Sequence, residues 1–239
     1  MPAGRGGPRP VVVLVHGGFW RAHRTLALMR PLATSLAAAG CAVWNLEYRG
    51  VGHDGGGWPG TLTDVAAGVD ALVDRALDHA LDLDRVALVG HSAGGQLVLW
   101  AAGDRALADA AVLPAAGVRP ALVVSLAGVC DLAGAAAADL GDGAVHGFLG
   151  GGPDTVPQRY GAASPLAVVP LGVPQVLVHG GDDRKVPVDQ SRAYAAVART
   201  AGDPVQLITL AGVDHMALVD PAGAAWDATL SPLLDALRP

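Results

Sequence analysis

The sequence predicts a three-layer α/β fold: one domain over residues 1–239, with a mostly parallel sheet of about six strands and helices on both faces. Three observations predict it. Short, wholly apolar runs such as Val11-Val12-Val13-Leu14-Val15 are what strands covered on both faces require. These runs alternate with longer segments of helical character, the β-α-β rhythm of a parallel sheet. The chain has 239 residues, 51% hydrophobic and only 16% charged, which suits one core better than two.

After the strand at Val11–Val15, a helix is expected over about Thr25–Ala39 and a second strand at Cys41–Leu46. A helix at Leu62–His79 leads to a strand at Val86–Val89, followed at once by a helix at Ala93–Ala102. The fourth strand is Ala121–Leu126. From about 129 to 173 the rhythm breaks into a stretch rich in Gly, Ala and Pro, read as an insertion of short helices that partly covers a site. The order then resumes with strands at Gln175–Val178 and Val205–Leu210 and helices at Gln190–Ala201 and Ala224–Leu237. No internal repeat and no linker divides the chain.

Composition excludes several classes of function. The formal charge is −6, without blocks of like charge, which argues against nucleic acid or an anionic membrane as the main partner, since both need a basic face. Two cysteines, Cys41 and Cys130, make no disulfide framework and read as small buried hydrophobes. With no apolar leader and no long apolar span, a cytoplasmic location is expected.

The chemistry concentrates at Gly90-His91-Ser92-Ala93-Gly94, where an apolar strand ends and a helix begins. That is the setting of a G-x-S-x-G nucleophile elbow, in which small residues on either side make room for a strained serine. Ser92 is the candidate nucleophile. The N–H of Ala93 is one candidate oxyanion donor, and Gly18 or Phe19, in the glycine loop His16-Gly17-Gly18-Phe19-Trp20, supplies the other. The acid and histidine should follow in that order. After the fifth strand lies His179-Gly180-Gly181-Asp182-Asp183, where either aspartate can serve as the acid. After the sixth lies Gly212-Val213-Asp214-His215, where His215 is the candidate base. Trp20 and Phe148 are candidate aromatic walls of a substrate pocket. His16, His91 and His179 are read as structural. The remaining histidines show no paired ligand spacing, so no metal and no cofactor is expected.

These motifs resemble the small esterases of the α/β-hydrolase superfamily, and especially the kynurenine formamidase (arylformamidase) and acetyl-esterase branches. The likeness runs from about Pro10 onward. His16-Gly17-Gly18-Phe19-Trp20 is similar to the formamidase oxyanion motif, and Ala163-Ser164-Pro165-Leu166 resembles a segment preceding the acid strand. The family form H-G-x-x-D-x-x-V-P selects Asp183 over Asp182. The resemblance implies an α/β-hydrolase fold and a small-molecule ester or amide substrate, cleaved through an acyl-enzyme on Ser92. The full fold ordinarily carries two further strands at its start, for which the ten residues before Val11 leave no room. The strand at Cys41–Leu46 is therefore expected at an edge, which implies either a homodimer or a truncated start. The competing readings are a prolyl-oligopeptidase-type peptidase and a non-catalytic binding protein on a hydrolase fold.

Overall fold

The computed structural model describes residues 7–105 and 117–239. Among the described residues, six strands form one sheet: β1 (Arg9–Val15), β2 (Ala42–Leu46), β3 (Leu81–His91), β4 (Leu122–Leu126), β5 (Gln175–Gly180) and β6 (Val205–Leu210). Their order is β2-β1-β3-β4-β5-β6, and every pairing is parallel. This is the parallel α/β sheet that the apolar runs predict and the α/β-hydrolase fold that the resemblance implies, with β2 at one edge.

The continuous apolar runs have a direct cause. Side chains alternate faces along a strand, and both faces here are covered. Val11, Val13 and Val15 enter one core with Leu88, Val123 and Leu177. Val12 and Leu14 enter the other with Ala87, Val89, Val124 and Val178. The first core is closed by α2 (Gly60–His79), α3 (Ala93–Ala102) and α7 (Asp189–Thr200). The second is closed by α1 (Arg30–Ala38) and α8 (Ala224–Ala236), whose Leu32, Leu36, Trp226 and Leu233 are buried there. In α2, Leu62, Val65, Val69 and Leu72 repeat at helical spacing and are fully buried, so one stripe docks on the sheet.

Two elements depart from the sequence reading. The segment from Thr25 is not one helix: Thr25 caps a 3-10 turn at Leu26–Met29, and α1 begins at Arg30. Pro31 explains the break, because proline lacks an N–H and its ring obstructs the preceding turn, so it is tolerated only in a first turn. Strand β3 also starts earlier than Val86. Arg9 and Pro10 pair with Leu81 and Asp82, and the register then shifts so that Val11 meets Val86. The polar residues of that bulged start, with Arg85 bound to Asp82 at 2.7 Å, conceal it from any reading of apolar runs.

The stretch at 129–173 carries three short helices, α4 (Leu132–Ala137), α5 (Ala144–Leu149) and α6 (Pro157–Ala163). Leu132, Val145, Phe148, Leu149 and Tyr160 bury their side chains in the first core. Among the described residues, no helix is long and apolar enough to cross a membrane.

Candidate active site

Three strands end where the chemistry gathers. β3 stops at His91 and α3 starts at Ala93, leaving Ser92 alone at the corner with φ 57° and ψ −119°. Such a conformation costs about 1–3 kcal/mol and persists only when its surroundings hold it. The Ser92 N–H donates to the Leu126 carbonyl at 2.7 Å, pinning the corner to β4. The flanking glycines are sterically required. A Cβ at Gly90 would lie 2.0 Å from the Gly94 carbonyl oxygen, and one at Gly94 would lie 2.1 Å from that of Val15.

The histidine and the acid meet across two loops. His215 Nδ1 donates to Asp183 Oδ2 at 2.6 Å. Asp183 Oδ1 accepts the backbone N–H groups of Lys185 and Val186 at 2.8 and 2.9 Å, so the carboxylate is fixed at both oxygens. Its side chain is completely buried. Burial alone would raise its pKa, but the hydrogen bonds from His179, His215 and the Val186 N–H outweigh burial and hold the carboxyl well below the usual range. Asp182 is exposed and only its backbone is engaged, with Val213. Asp214 caps the turn after the histidine, accepting from the Met216 and Ala217 N–H groups.

Ser92, His91, His215, Gly18 and Phe19 line one cleft of about 740 Å³, together with Leu28, Leu140 and Met216. No hydrogen bond joins Ser92 Oγ to His215 in this structure; such bonds are often loose in unliganded sites. The glycine loop is held from beneath. His16 stacks on Tyr48 at 4.2 Å and bonds Glu47 at 2.6 Å, while the Tyr48 hydroxyl donates to the His16 carbonyl at 3.0 Å. Gly17 is needed for close approach, since a Cβ there would sit 2.8 Å from the His91 carbonyl oxygen. Gly18, Phe19 and Trp20 all take positive φ, at 120°, 52° and 57°, which turns the loop over the cleft. Ala93 opens α3, where backbone N–H groups lack intrahelical partners.

Trp20 and Phe148 do not form the pocket wall expected of them. Both are 0% exposed and absent from the cleft lining. The positive φ of Trp20 turns its indole inward, where it stacks on Phe148 at 4.5 Å and 5°. Its Nε1–H donates to Gln96 Oε1 at 2.9 Å, and Gln96 Nε2 donates to the Ala163 carbonyl at 2.9 Å. The pair thus braces the loop against α3 and α5 in place of contacting substrate.

One contributor, Gln96, escaped the sequence reading. Gln96 gave a usable signal, as a single polar side chain in an otherwise apolar helix must find partners. His91, beside the nucleophile, donates through Nε2 to the His215 carbonyl at 3.0 Å and lies 4.6 Å from the His215 ring. Burial, and then the neighbouring His215, push its pKa down to about 3. Its Nδ1 is buried with no partner. His179 behaves as a structural residue, bonded to Ser191 Oγ at 2.7 Å and the Val186 carbonyl at 2.9 Å.

The model of the BD-FAE family matches residues 1–197. The chain belongs to the BD-FAE family. Within this BD-FAE chain the matched span holds the glycine loop, Ser92 and Asp183, and His215 lies beyond it. A monoacylglycerol lipase of Mycolicibacterium smegmatis is 32% identical over 243 residues, covering 90% of this chain and 84% of the relative. Among solved structures, a truncated carbohydrate esterase from gut microbiota superposes with a TM-score of 0.81 at 20% identity, over 97% of this chain and 87% of that one. The thermophilic esterase Est2 of Thermogutta terrifontis, solved with propionate, gives 0.76 at 20% identity over 98% and 84%. No group of three or more His, Cys, Asp or Glu able to hold a metal occurs among the described residues.

Proposed function

We propose that this protein is a serine ester hydrolase acting on small carboxylic esters. The observation that carries the proposal is the convergence, in one cleft, of a strained Ser92 with a His215 whose Nδ1 proton is locked onto Asp183. With that proton held, Nε2 is the free basic nitrogen. It takes the Ser92 proton as Oγ attacks the ester carbonyl, and the carbonyl oxygen becomes an oxyanion received by the N–H groups of Ala93 and of Gly18 or Phe19. The imidazolium returns its proton to the departing alcohol. Water, deprotonated by His215, then releases the acid and restores Ser92. Asp183 keeps the tautomer and stabilises the imidazolium.

The family and the esterase relatives support an ester over a peptide. An aryl formamide has less support, because the two aromatic side chains that would favour it are buried. The experiment is a panel of p-nitrophenyl acetate, p-nitrophenyl butyrate, longer acyl esters and N-formylkynurenine, run on the protein and on Ser92→Ala. Short esters should be hydrolysed, and Ser92→Ala should lose that activity with its circular dichroism unchanged. Substantial ester hydrolysis by Ser92→Ala would overturn the mechanism, and a strong preference for the formamide would replace the substrate class.

A further inference from the structure

The two loops that carry the candidate machinery also carry an excess of positive charge. Arg21 and Arg24 follow the glycine loop, Arg184 and Lys185 follow Asp183, and all four line the cleft with Ser92 and His215. Among the described residues, the carboxylates lining it beside them are Asp139 and Asp142. Asp139 Oδ1 accepts the Gly143 N–H at 2.8 Å, which leaves its charge in place, so the lining carries four cationic side chains against two carboxylates. Among the described residues, no carboxylate lies within ion-pair distance of any of the four cations. Arg21 spends its Nη2 on the Gly141 and Asp142 carbonyls, which satisfy hydrogen bonds without neutralising charge.

The placement is built into the backbone. The Lys185 N–H is one of the two that hold Asp183, so the turn that fixes the acid also delivers Arg184 and Lys185 to the cleft. Arg24 lies with Cβ and Cγ against Gly18, where any Cβ would come within 2.4 Å of it, so the oxyanion loop carries its own cation. The chain as a whole is at −6 and has a single lysine, which is Lys185. A patch of the opposite sign at one cleft focuses the field on substrates of negative charge.

We infer that the preferred substrate is an ester carrying a carboxylate away from the scissile bond, received by the Arg24, Arg184 and Lys185 rim. This inference rests on the ester-hydrolase reading above and names its substrate class.

The test uses two matched pairs at low salt: p-nitrophenyl hemiadipate against p-nitrophenyl hexanoate, and 4-acetoxybenzoate against its methyl ester. Each rate is divided by hydrolysis without enzyme. The first pair places the carboxylate on the acyl side and the second on the alcohol side. At least one anionic ester should be preferred by roughly tenfold in kcat/KM. The preference should shrink in 0.5 M salt, because exposed charges are screened. It should shrink also in Arg184→Gln/Lys185→Gln, whose exposed positions leave the backbone donors to Asp183 intact. The readout is the ratio within each pair, so a general loss of activity divides out. Equal rates within both pairs, or a preference indifferent to salt and to the double variant, would overturn the inference while leaving the hydrolase reading in place. Failure to hydrolyse any ester would instead sink the hydrolase reading.

Discussion

His91 should make the protein acid-labile in a window set by one proton. Its Nε2–H is committed to the His215 carbonyl, and its Nδ1 sits buried with no acceptor to receive a second proton. The groups facing it are His215, His179 and Asp183, of which the two histidines oppose a positive charge and the aspartate favours one; burial is the largest effect. The folded-state value of about 3 lies below the unfolded value of about 6.5. The unfolded chain therefore binds the extra proton between these values, and stability falls as pH drops through that range. The full interval is worth about 5 kcal/mol at roughly 1.4 kcal/mol per pH unit. Between pH 6 and 4.5 the loss should be about 2 kcal/mol. Urea unfolding across that window, on the protein and on His91→Gln, measures it. The glutamine amide can still donate to the His215 carbonyl but does not titrate, so the variant's slope should be flatter by close to one proton. Equal slopes in the two proteins would refute the claim that His91 is held neutral by its burial.

Asp183→Asn should cut kcat by about 10³–10⁴-fold with the fold retained, since an amide facing His215 Nδ1 imposes the other tautomer; steady-state rates on a short ester check this. The same variant should lose stability less steeply below about pH 4, because the depressed carboxyl of Asp183 stabilises the fold above its unfolded pKa and ceases to as it protonates. Gln96→Leu should destabilise by about 2–6 kcal/mol in urea unfolding, as it strands the Trp20 Nε1–H and the Ala163 carbonyl in the core at about 1–3 kcal/mol each. A cost below about 0.5 kcal/mol, the size of an ordinary surface change, would mean those groups find other partners.

How much of this was legible in the sequence depended on how local each feature is. Strand positions were readable because an apolar run needs only its own residues to declare burial on both faces. The elbow was readable because strand, small residues and helix lie within one continuous segment, and the acid and histidine because each follows a strand end. The same logic failed for Trp20 and Phe148. Their stacking joins residues far apart in the chain, and nothing near either position says which way the ring turns. It failed again at Leu81–Arg85, where strand pairing is carried by a bulged polar stretch.

The glycine loop sharpens the point. In sequence, Gly17 and Gly18 suggest that glycine supplies all the unusual backbone, yet Phe19 and Trp20 also take positive φ, and Gly17 does not. Gly17 is small because His91 and Ser92 approach it, not because of its torsion. The strain falls on side-chain-bearing residues at the ends of adjacent strands: Phe19 and Trp20 after β1, Ser92 after β3, Ala127 after β4. Each such residue costs about 1–3 kcal/mol and needs an independent hold. The holds are visible: the Trp20 stack and its bond to Gln96, the Ser92 N–H on Leu126, and the Ala127 N–H on Val178 at 2.9 Å. Buried aromatic area that a substrate pocket would have left partly wet is here turned to keeping the cleft's backbone in shape. That is why the apolar lining of the cleft falls to Phe19, Leu28, Leu140 and Met216.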